Sequence, residues 1–150
     1  MRREVKTTWR KVKLDDALSL ILDCRGKTPK KLGDDWLRNG IPALSAKNIK
    51  TGQIINKNDI RYVSQKLYDK WMPEKLEKGD ILLTSEAPLG ELLYLKEKAD
   101  YCLSQRLFAL RAKPQILDSR FLYYYFLSPI GRHQLLRLII GTAAEGIRHS

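Results

Sequence analysis

Ile81-Leu82-Leu83-Thr84 and Glu91-Leu92-Leu93-Tyr94-Leu95 are two apolar runs that decide the fold, and the loop Ser85-Glu86-Ala87-Pro88-Leu89-Gly90 separates them. Lys78-Gly79-Asp80 supplies a turn directly before the first run. Short apolar runs bounded by turn residues are typical of strands buried inside a sheet. We therefore predict two buried strands with a Pro- and Gly-containing loop between them.

A third strand is predicted at Arg106-Leu107-Phe108-Ala109-Leu110-Arg111, because its residues alternate strictly between two faces. The alternation places Arg106 on the face opposite Leu107, as expected for a half-buried strand. Upstream, Ile41-Pro42-Ala43-Leu44-Ser45 predicts another strand, and the turn Lys50-Thr51-Gly52-Gln53 precedes an extended run that starts at Ile54.

Helices are predicted on both sides of these strands. Ser64 is suited to cap a helix that continues to Trp71 and closes at Pro73. Residues 8–14 are expected to form an edge strand, followed by a helix that Asp15 or Asp16 caps and that continues through Leu22. From Asp118 the apolar period predicts a pair of helices, and residues 141–150 are expected to be a Gly-punctuated loop. The mixed order indicates an α+β fold, a compact single domain with a bent, antiparallel-rich sheet and flanking helices.

The charge indicates a polyanionic partner. The 150 residues carry a net charge of +11 with a pI near 9.7, and Lys and Arg that neutralise phosphates supply most sequence-independent affinity for nucleic acid. Residues 1–31 carry ten basic and four acidic side chains, residues 32–100 eleven of each, and residues 101–150 seven basic and two acidic. If the two basic segments meet in space they form one positive face; otherwise the charge aids solubility alone.

Several classes of function are excluded. No apolar stretch is long enough to cross a bilayer, and the charged N-terminus is unlike a secretion signal, so we expect a cytoplasmic protein without a membrane partner. Cys24 and Cys102 are isolated thiols, and neither His133 nor His149 has a second ligand at helical spacing, so we expect no disulfide, metal or cofactor. A methyltransferase needs a Pro-Pro motif that is absent, and the single nuclease-like triplet, Glu4-Val5-Lys6, has no Asp upstream. The chain is therefore predicted not to be an enzyme.

Turn-flanked loops carry the candidate binding side chains, because rigid strands hold protruding loops in place. The candidates for DNA binding are Lys27, Lys30, Lys31, Lys47, Asn48, Ser85, Glu86, Gln105, Arg106, Arg132 and Arg148. Lysines suit phosphates. Asn48 and Gln105 have the amide that bridges the adenine edge, Arg106 the fork that fits guanine, and Glu86 an acceptor for cytosine N4.

Each candidate has a structural alternative. Asn48 suits the stabilisation of its own turn, Glu86 is a common turn carboxylate, and Arg106 suits an ion pair with a carboxylate. The lysines of residues 27–31 also fit a solvated basic loop. The run Tyr123-Tyr124-Tyr125 has rings that stack unpaired bases, but we expect it to pack its helix into the core with one hydroxyl in solvent.

The order of these landmarks resembles that of type I restriction-modification specificity subunits, and the resemblance extends along the whole chain. The matching segments are Trp9-Arg10-Lys11-Val12-Lys13-Leu14, Lys27-Thr28-Pro29, Ile41-Pro42-Ala43-Leu44-Ser45-Ala46-Lys47-Asn48-Ile49, Gly79-Asp80-Ile81-Leu82-Leu83-Thr84, Pro88-Leu89-Gly90, Ser104-Gln105-Arg106-Leu107-Phe108-Ala109-Leu110, and Gly141-Thr142 with Ile147. Each segment is common by itself, and it is their ordered combination that is specific.

The resemblance implies one target-recognition domain over residues 1–150, similar in fold to that of adenine-N6 DNA methyltransferases, without the following spacer helix and second recognition domain. It implies sequence-specific binding to half of a bipartite double-stranded DNA target. Methylation and restriction would then belong to partner modification and restriction subunits, and a homodimer is expected if the full-length protein is a half-size subunit. The alternative left open is a non-catalytic adaptor that binds RNA or an acidic protein.

Overall fold

The computed structural model describes residues 11–145, with side chains up to residue 140. Strands and helices follow one another irregularly in this part of the chain. In order they are α1 (Leu14–Ala17), β1 (Leu18–Asp23), β2 (Ile41–Leu44), β3 (Ile49–Lys50), β4 (Gln53–Ile54), β5 (Arg61–Val63), α2 (Gln65–Trp71), β6 (Ile81–Ser85), β7 (Leu89–Tyr94), β8 (Cys102–Leu103), β9 (Leu107–Ala112), α3 (Ser119–Leu127) and α4 (Pro129–Glu145).

The two apolar runs form the strands that the sequence predicts. β6 and β7 pair antiparallel, and β6 also pairs with β9, which in turn pairs with β1. The result is an entirely antiparallel four-stranded sheet in the order β1-β9-β6-β7. A register shift between Leu83 and Ser85 marks an irregularity at the end of β6.

The central strands of this sheet are buried on both faces. Leu107 and Ala109 belong to a core shared with α2, whereas Phe108 and Leu110 belong to a second core shared with α3 and α4. The expectation of a half-buried strand at residues 106–111 was therefore wrong, because helices and a second sheet cover both faces. Strands buried in this way have continuous apolar sequences.

The second sheet lies in the α2 core and has the order β5-β2-β8. β2 pairs antiparallel with β5 and parallel with β8. A separate hairpin, β3-β4, adjoins β7, where the amide of Gly52 donates to the carbonyl of Leu92 at 3.0 Å. Gly52 lies at φ +85°, which suits glycine in the tight turn predicted at residues 50–53.

The prediction for the first segment was wrong in one respect. Helix α1 ends at Ala17, and the residues expected to continue it to Leu22 form β1 instead. The reason is tertiary, since Leu20, Ile21 and Leu22 pair with residues of β9, and the side chains of Ile21 and Leu22 pack against the two cores. Of the edge strand expected at residues 8–14, residues 8–10 lie outside the described part and residues 11–13 have no strand pairing.

Helices α2 and α3 begin directly after capping residues. The Ser64 hydroxyl accepts from the amide of Leu67 at 3.0 Å, and Asp118 caps α3 through the amide of Arg120. The helix pair predicted after Asp118 is confirmed. Helix α4 extends to Glu145, so residues 141–145 are helical and not the expected loop, while residues 146–150 lie outside the described part. None of the helices in residues 11–145 combines the length and the hydropathy that a membrane span requires.

The α+β expectation is confirmed. Strand pairing is antiparallel except between β2 and β8, and helices flank the main sheet. The fold has three layers. The small sheet and α2 form the first, the four-stranded sheet the second, and α3 with α4 the third. This central sheet fixes where its connecting loops emerge.

Candidate nucleic-acid interface

The loops that carry most candidates emerge at one end of the four-stranded sheet. Asp23, the last residue of β1, pairs with Phe108 near the start of β9, and Thr84 near the end of β6 pairs with Leu107. The loop after β1, the loop between β6 and β7, and the turn before β9 therefore start from neighbouring strand ends. The turn after β2 lies beside them, because Leu44 accepts from the amide of Ser104 at 2.7 Å.

Backbone hydrogen bonds join these loops directly. The amide of Ser85 donates to the carbonyl of Arg106 at 2.9 Å, and the amide of Ala46 donates to the carbonyl of Gln105 at 3.0 Å. We call this surface the loop end and define it as residues 24–33, 45–48, 85–89 and 104–106. The main chain thus connects loops that are far apart in sequence.

Arg106 occupies the turn before β9 and not the strand itself, which corrects the expected position. Its φ is +60°, an uncommon value for a residue other than glycine. Its Nε lies 3.4 Å from Oε1 of Glu86, and the two side chains are 49% and 64% exposed. The expected alternative of an ion pair is therefore present. Because exposed pairs of this kind contribute little free energy, both groups remain available to another partner.

Gln105 and Lys47 are also exposed at the loop end. Lys47 lies on a short 3-10 turn, and its carbonyl accepts from the side-chain amide of Asn56 at 2.8 Å. This bond brings Lys57, an exposed cation that the sequence reasoning missed, next to the turn that carries Lys47. The available signal was the turn composition of Asn56-Lys57-Asn58.

Asn48 was a candidate for contact with adenine, but it is buried and 3% exposed. Its Oδ1 accepts from the amide of Ser45 at 3.1 Å, and its Nδ2 donates to the carbonyls of Ile55 and Asn56 at 3.1 and 3.2 Å. The side chain is thus engaged with the backbone of two segments. This is the structural alternative, in which the amide stabilises its own turn.

Ser85 is likewise buried, at 4% exposure, and lies at the end of β6. It pairs with Leu89 of β7, after the register shift that follows Leu83. Its backbone amide donates to the carbonyl of Arg106 and so fixes that turn, while its side chain is buried.

The lysines of the loop after β1 differ in their surroundings. Lys27 is half-buried and donates to the carbonyl of Trp71 at 2.6 Å, which fastens the loop to α2. Lys31 is exposed, and its ammonium donates to the carbonyl of Gly26 at 2.9 Å. Lys30 is exposed on the same 3-10 turn. Lys30 and Lys31 therefore present charge to solvent, and Lys27 is committed to the fold.

Arg132 lies beneath the β6-β7 loop. It projects from α4, is half-buried, and donates through Nη1 to the carbonyl of Gly90. The hydrogen bond from the hydroxyl of Thr51 lowers the pKa of neighbouring Glu91. The positive charges of Arg132 and Lys50 lower it further, by a smaller amount. Arg132 thus supports the start of β7, while Arg148 lies outside the described residues.

The two basic segments of the sequence meet in part. β1 from the first segment pairs with β9 from the last, so Lys30 and Arg106 belong to loops at one sheet end.

Residues 11–145 contain no group of His, Cys, Asp and Glu side chains that would hold a metal ion. Cys24 and Cys102 are buried free thiols, and burial raises the pKa of Cys102 to about 12.

Comparison with known proteins shows the family of this chain. Residues 6–148 match the family model described as type I restriction modification DNA specificity domain. The type I restriction enzyme MjaVIII specificity subunit of Methanocaldococcus jannaschii is 27% identical over 152 residues, which cover 97% of this chain and 34% of that protein. The chain spans about a third of that relative's length. Since the family model covers nearly the whole sequence, the chain belongs to the type I restriction-modification DNA specificity domain family.

Proposed function

We propose that the loop end binds one half of a bipartite double-stranded DNA target and recognises its sequence. The observation that supports this most directly is the convergence of Gln105, Arg106, Glu86 and Lys47 on one sheet end, with backbone hydrogen bonds joining their loops. Rigid support of exposed polar groups is what base recognition requires.

The chemistry assigns a role to each exposed group. Arg106 and Gln105 present bidentate groups that suit guanine and adenine in the major groove, and Glu86 presents an acceptor for cytosine N4. Lys30, Lys31 and Lys57 suit phosphates, which position the protein without selecting a sequence. Lys47 is exposed on the turn bonded to Gln105 and suits either a base or a phosphate. Arg132 acts as a positioning residue through Gly90, and Arg148 remains a proposed contact.

We further propose that the whole chain is a single recognition domain that supplies specificity while partner subunits supply catalysis. Family membership supports this division, because specificity subunits direct modification and restriction without performing them. In this proposal the partners are the methyltransferase subunits and, through them, the restriction subunits. A homodimer would combine two recognition domains if the full-length protein is a half-size subunit.

Selection from a randomised duplex library tests the proposal. The chain is mixed with random-sequence duplex DNA at moderate salt, and the bound fraction is sequenced over successive rounds. We expect enrichment of one short half-site, and affinity for it that falls with rising salt. A library that stays random, or a preference for single-stranded RNA over every duplex, contradicts the proposal and favours the RNA-binding adaptor.

A further inference from the structure

A basic pocket lies at the end of the main sheet opposite the loop end. It has a volume of about 620 Å3. Lys78 in the turn before β6, Lys96 after β7 and Arg120 in the first turn of α3 contribute its cations. Among the described residues, those that line it include no carboxylate. The proposed recognition of duplex DNA does not use this pocket.

The side chains of the three cations have no ionic partner in the described part of the chain, and the same holds for Lys98 nearby. For residues 11–145, no ion pair or side-chain hydrogen bond is found for Lys78, Lys96 or Arg120, whereas Arg25, Lys75 and Arg111 each pair with a carboxylate. All three are exposed at the pocket. Cations concentrated in a pocket that no described carboxylate lines attract an anion.

An aromatic wall lies beside these cations. Tyr94 and Tyr123 have ring centroids 5.7 Å apart, and Tyr123 and Tyr124 have centroids 5.4 Å apart, so the three rings are continuous. Tyr94 and Tyr123 are half-buried, but Tyr124 is 66% exposed. The tyrosine run therefore packs only in part, and the core does not account for Tyr124.

We propose that this pocket binds a nucleoside phosphate, with an unpaired base on the tyrosine wall and the phosphate among Lys78, Lys96 and Arg120. Cationic grooves with aromatic platforms bind single-stranded nucleic acid in this way, because every base has a face that stacks. Bases within a duplex are already stacked and do not offer that face. The source of the ligand is therefore either a nucleotide in a single strand or a free nucleotide.

The test measures binding of a fluorescein-labelled oligothymidylate of about twelve nucleotides by anisotropy. Tyr124→Ala should weaken its affinity about tenfold, and Tyr124→Phe, which keeps the ring, should retain it. Lys96→Ala should weaken affinity and reduce its dependence on salt. Lys98→Ala is the matched control, since Lys98 is exposed two residues away and does not line the pocket.

Competitors separate the two sources. If AMP displaces the oligothymidylate more effectively than adenosine or inorganic phosphate, the pocket accepts a free nucleotide. If AMP does not displace it, but Tyr124→Ala and Lys96→Ala still lower the affinity for oligothymidylate, the source is a single strand. Both results support the proposal. Absence of oligothymidylate binding, equal displacement by polyglutamate of the same charge, or unchanged affinity in both Tyr124→Ala and Lys96→Ala overturns it.

Arg106→Ala distinguishes this proposal from the previous one. The substitution should impair recognition of the selected duplex and leave oligothymidylate binding unchanged. If it instead abolishes oligothymidylate binding, the single strand occupies the loop end and the pocket proposal is wrong.

Discussion

Asp80 and Arg111 are joined by two hydrogen bonds of 2.9 Å, in which Nε donates to Oδ1 and Nη2 donates to Oδ2. Asp80 is 1% exposed and also accepts from the amide of Glu77. The hydrogen bond to Asp80 raises the pKa of Arg111. The pair therefore closes the turn before β6 against the neighbouring strand β9.

Removal of Asp80 should destabilise the protein strongly. Asp80→Ala leaves a partly buried guanidinium with only the exposed carboxylates of Glu74 and Glu77 beside it, and we expect the free energy of unfolding to fall by about 1.5–3 kcal/mol. Urea denaturation followed by circular dichroism measures the change. Glu74→Ala is the matched control, because Glu74 pairs with the same Arg111 but is 59% exposed, and it should cost less than about 1 kcal/mol. Equal losses would show that burial of Asp80 is not the cause.

Arg106→Ala and Lys30→Ala should have different effects on DNA binding. If Arg106 contacts a base, its loss relaxes the preference at one position of the selected half-site by about 1–3 kcal/mol. Lys30→Ala should weaken all duplexes alike and reduce the salt dependence. Binding measured on matched and single-mismatch duplexes separates the two effects, with Arg38→Ala, an exposed arginine before β2, as the control. Equal effects would mean that Arg106 contacts only the backbone of the DNA.

Glu86→Gln should strengthen binding to random duplexes. The substitution removes a negative charge that opposes phosphates and releases Arg106 from its ion pair. If Glu86 accepts a hydrogen bond from cytosine, discrimination at that position falls at the same time. Affinity for random duplexes should rise several-fold at low salt, and Glu97→Gln, remote from the loop end, should leave it unchanged. A fall in affinity for random duplexes would indicate that Glu86 holds Arg106 in its binding position.

Asn48→Ala should affect stability and not base preference. The substitution removes partly buried hydrogen bonds to the backbone of two segments, and we expect a loss of about 1–3 kcal/mol in the free energy of unfolding. Asn58→Ala, at an exposed position nearby, should be close to neutral. Altered base preference in Asn48→Ala at a temperature where it remains folded would contradict the structural role.

Glu91 should contribute stability that acid removes. The pKa of its carboxyl is lowered in the folded protein, first by the hydroxyl of Thr51, so the charged form favours folding. This contribution is present above the ordinary carboxyl pKa and is lost as pH falls through the lowered folded value. Glu91→Gln should therefore unfold with a weaker dependence on pH in acid, as thermal melts across that range will show. An unchanged pH dependence would exclude this contribution.

The elements that could be predicted from the sequence are those whose signals come from residues adjacent in the chain. The apolar runs at residues 81–84 and 91–95, the Ser64 cap and the helix pair after Asp118 all depend on neighbours in sequence, and the structure contains each of them. β1 was missed because Leu20 to Leu22 fit a helix until β9 provides a pairing strand. Similarly, residues 107–110 show alternation but are buried on both faces, which only tertiary packing decides.

The candidate site was predictable by residue type, but the exposure of its side chains was predictable only in part. Gln105, Glu86 and Lys47 are exposed on loops, as their turn-rich context suggested, whereas Arg106 was expected on a strand and is exposed in the turn before β9. Asn48 has the same local context, yet its amide bonds the backbone at Ile55 and Asn56, seven and eight residues away. Neither that partnership nor the contact between Arg106 and Glu86 has a signature in sequence, because each depends on how separate segments meet.

The loops at the end of the sheet are joined through main-chain atoms, from Ser85 to Arg106, from Ala46 to Gln105 and from Ser104 to Leu44. Main-chain hydrogen bonds of this kind do not depend on which side chain the residue bears. Exposed positions such as Gln105, Glu86 and Lys47 can therefore be exchanged while the loops keep their places. The architecture separates the scaffold from the residues proposed to select DNA, so libraries randomised at these few surface positions offer a direct route to domains with new targets.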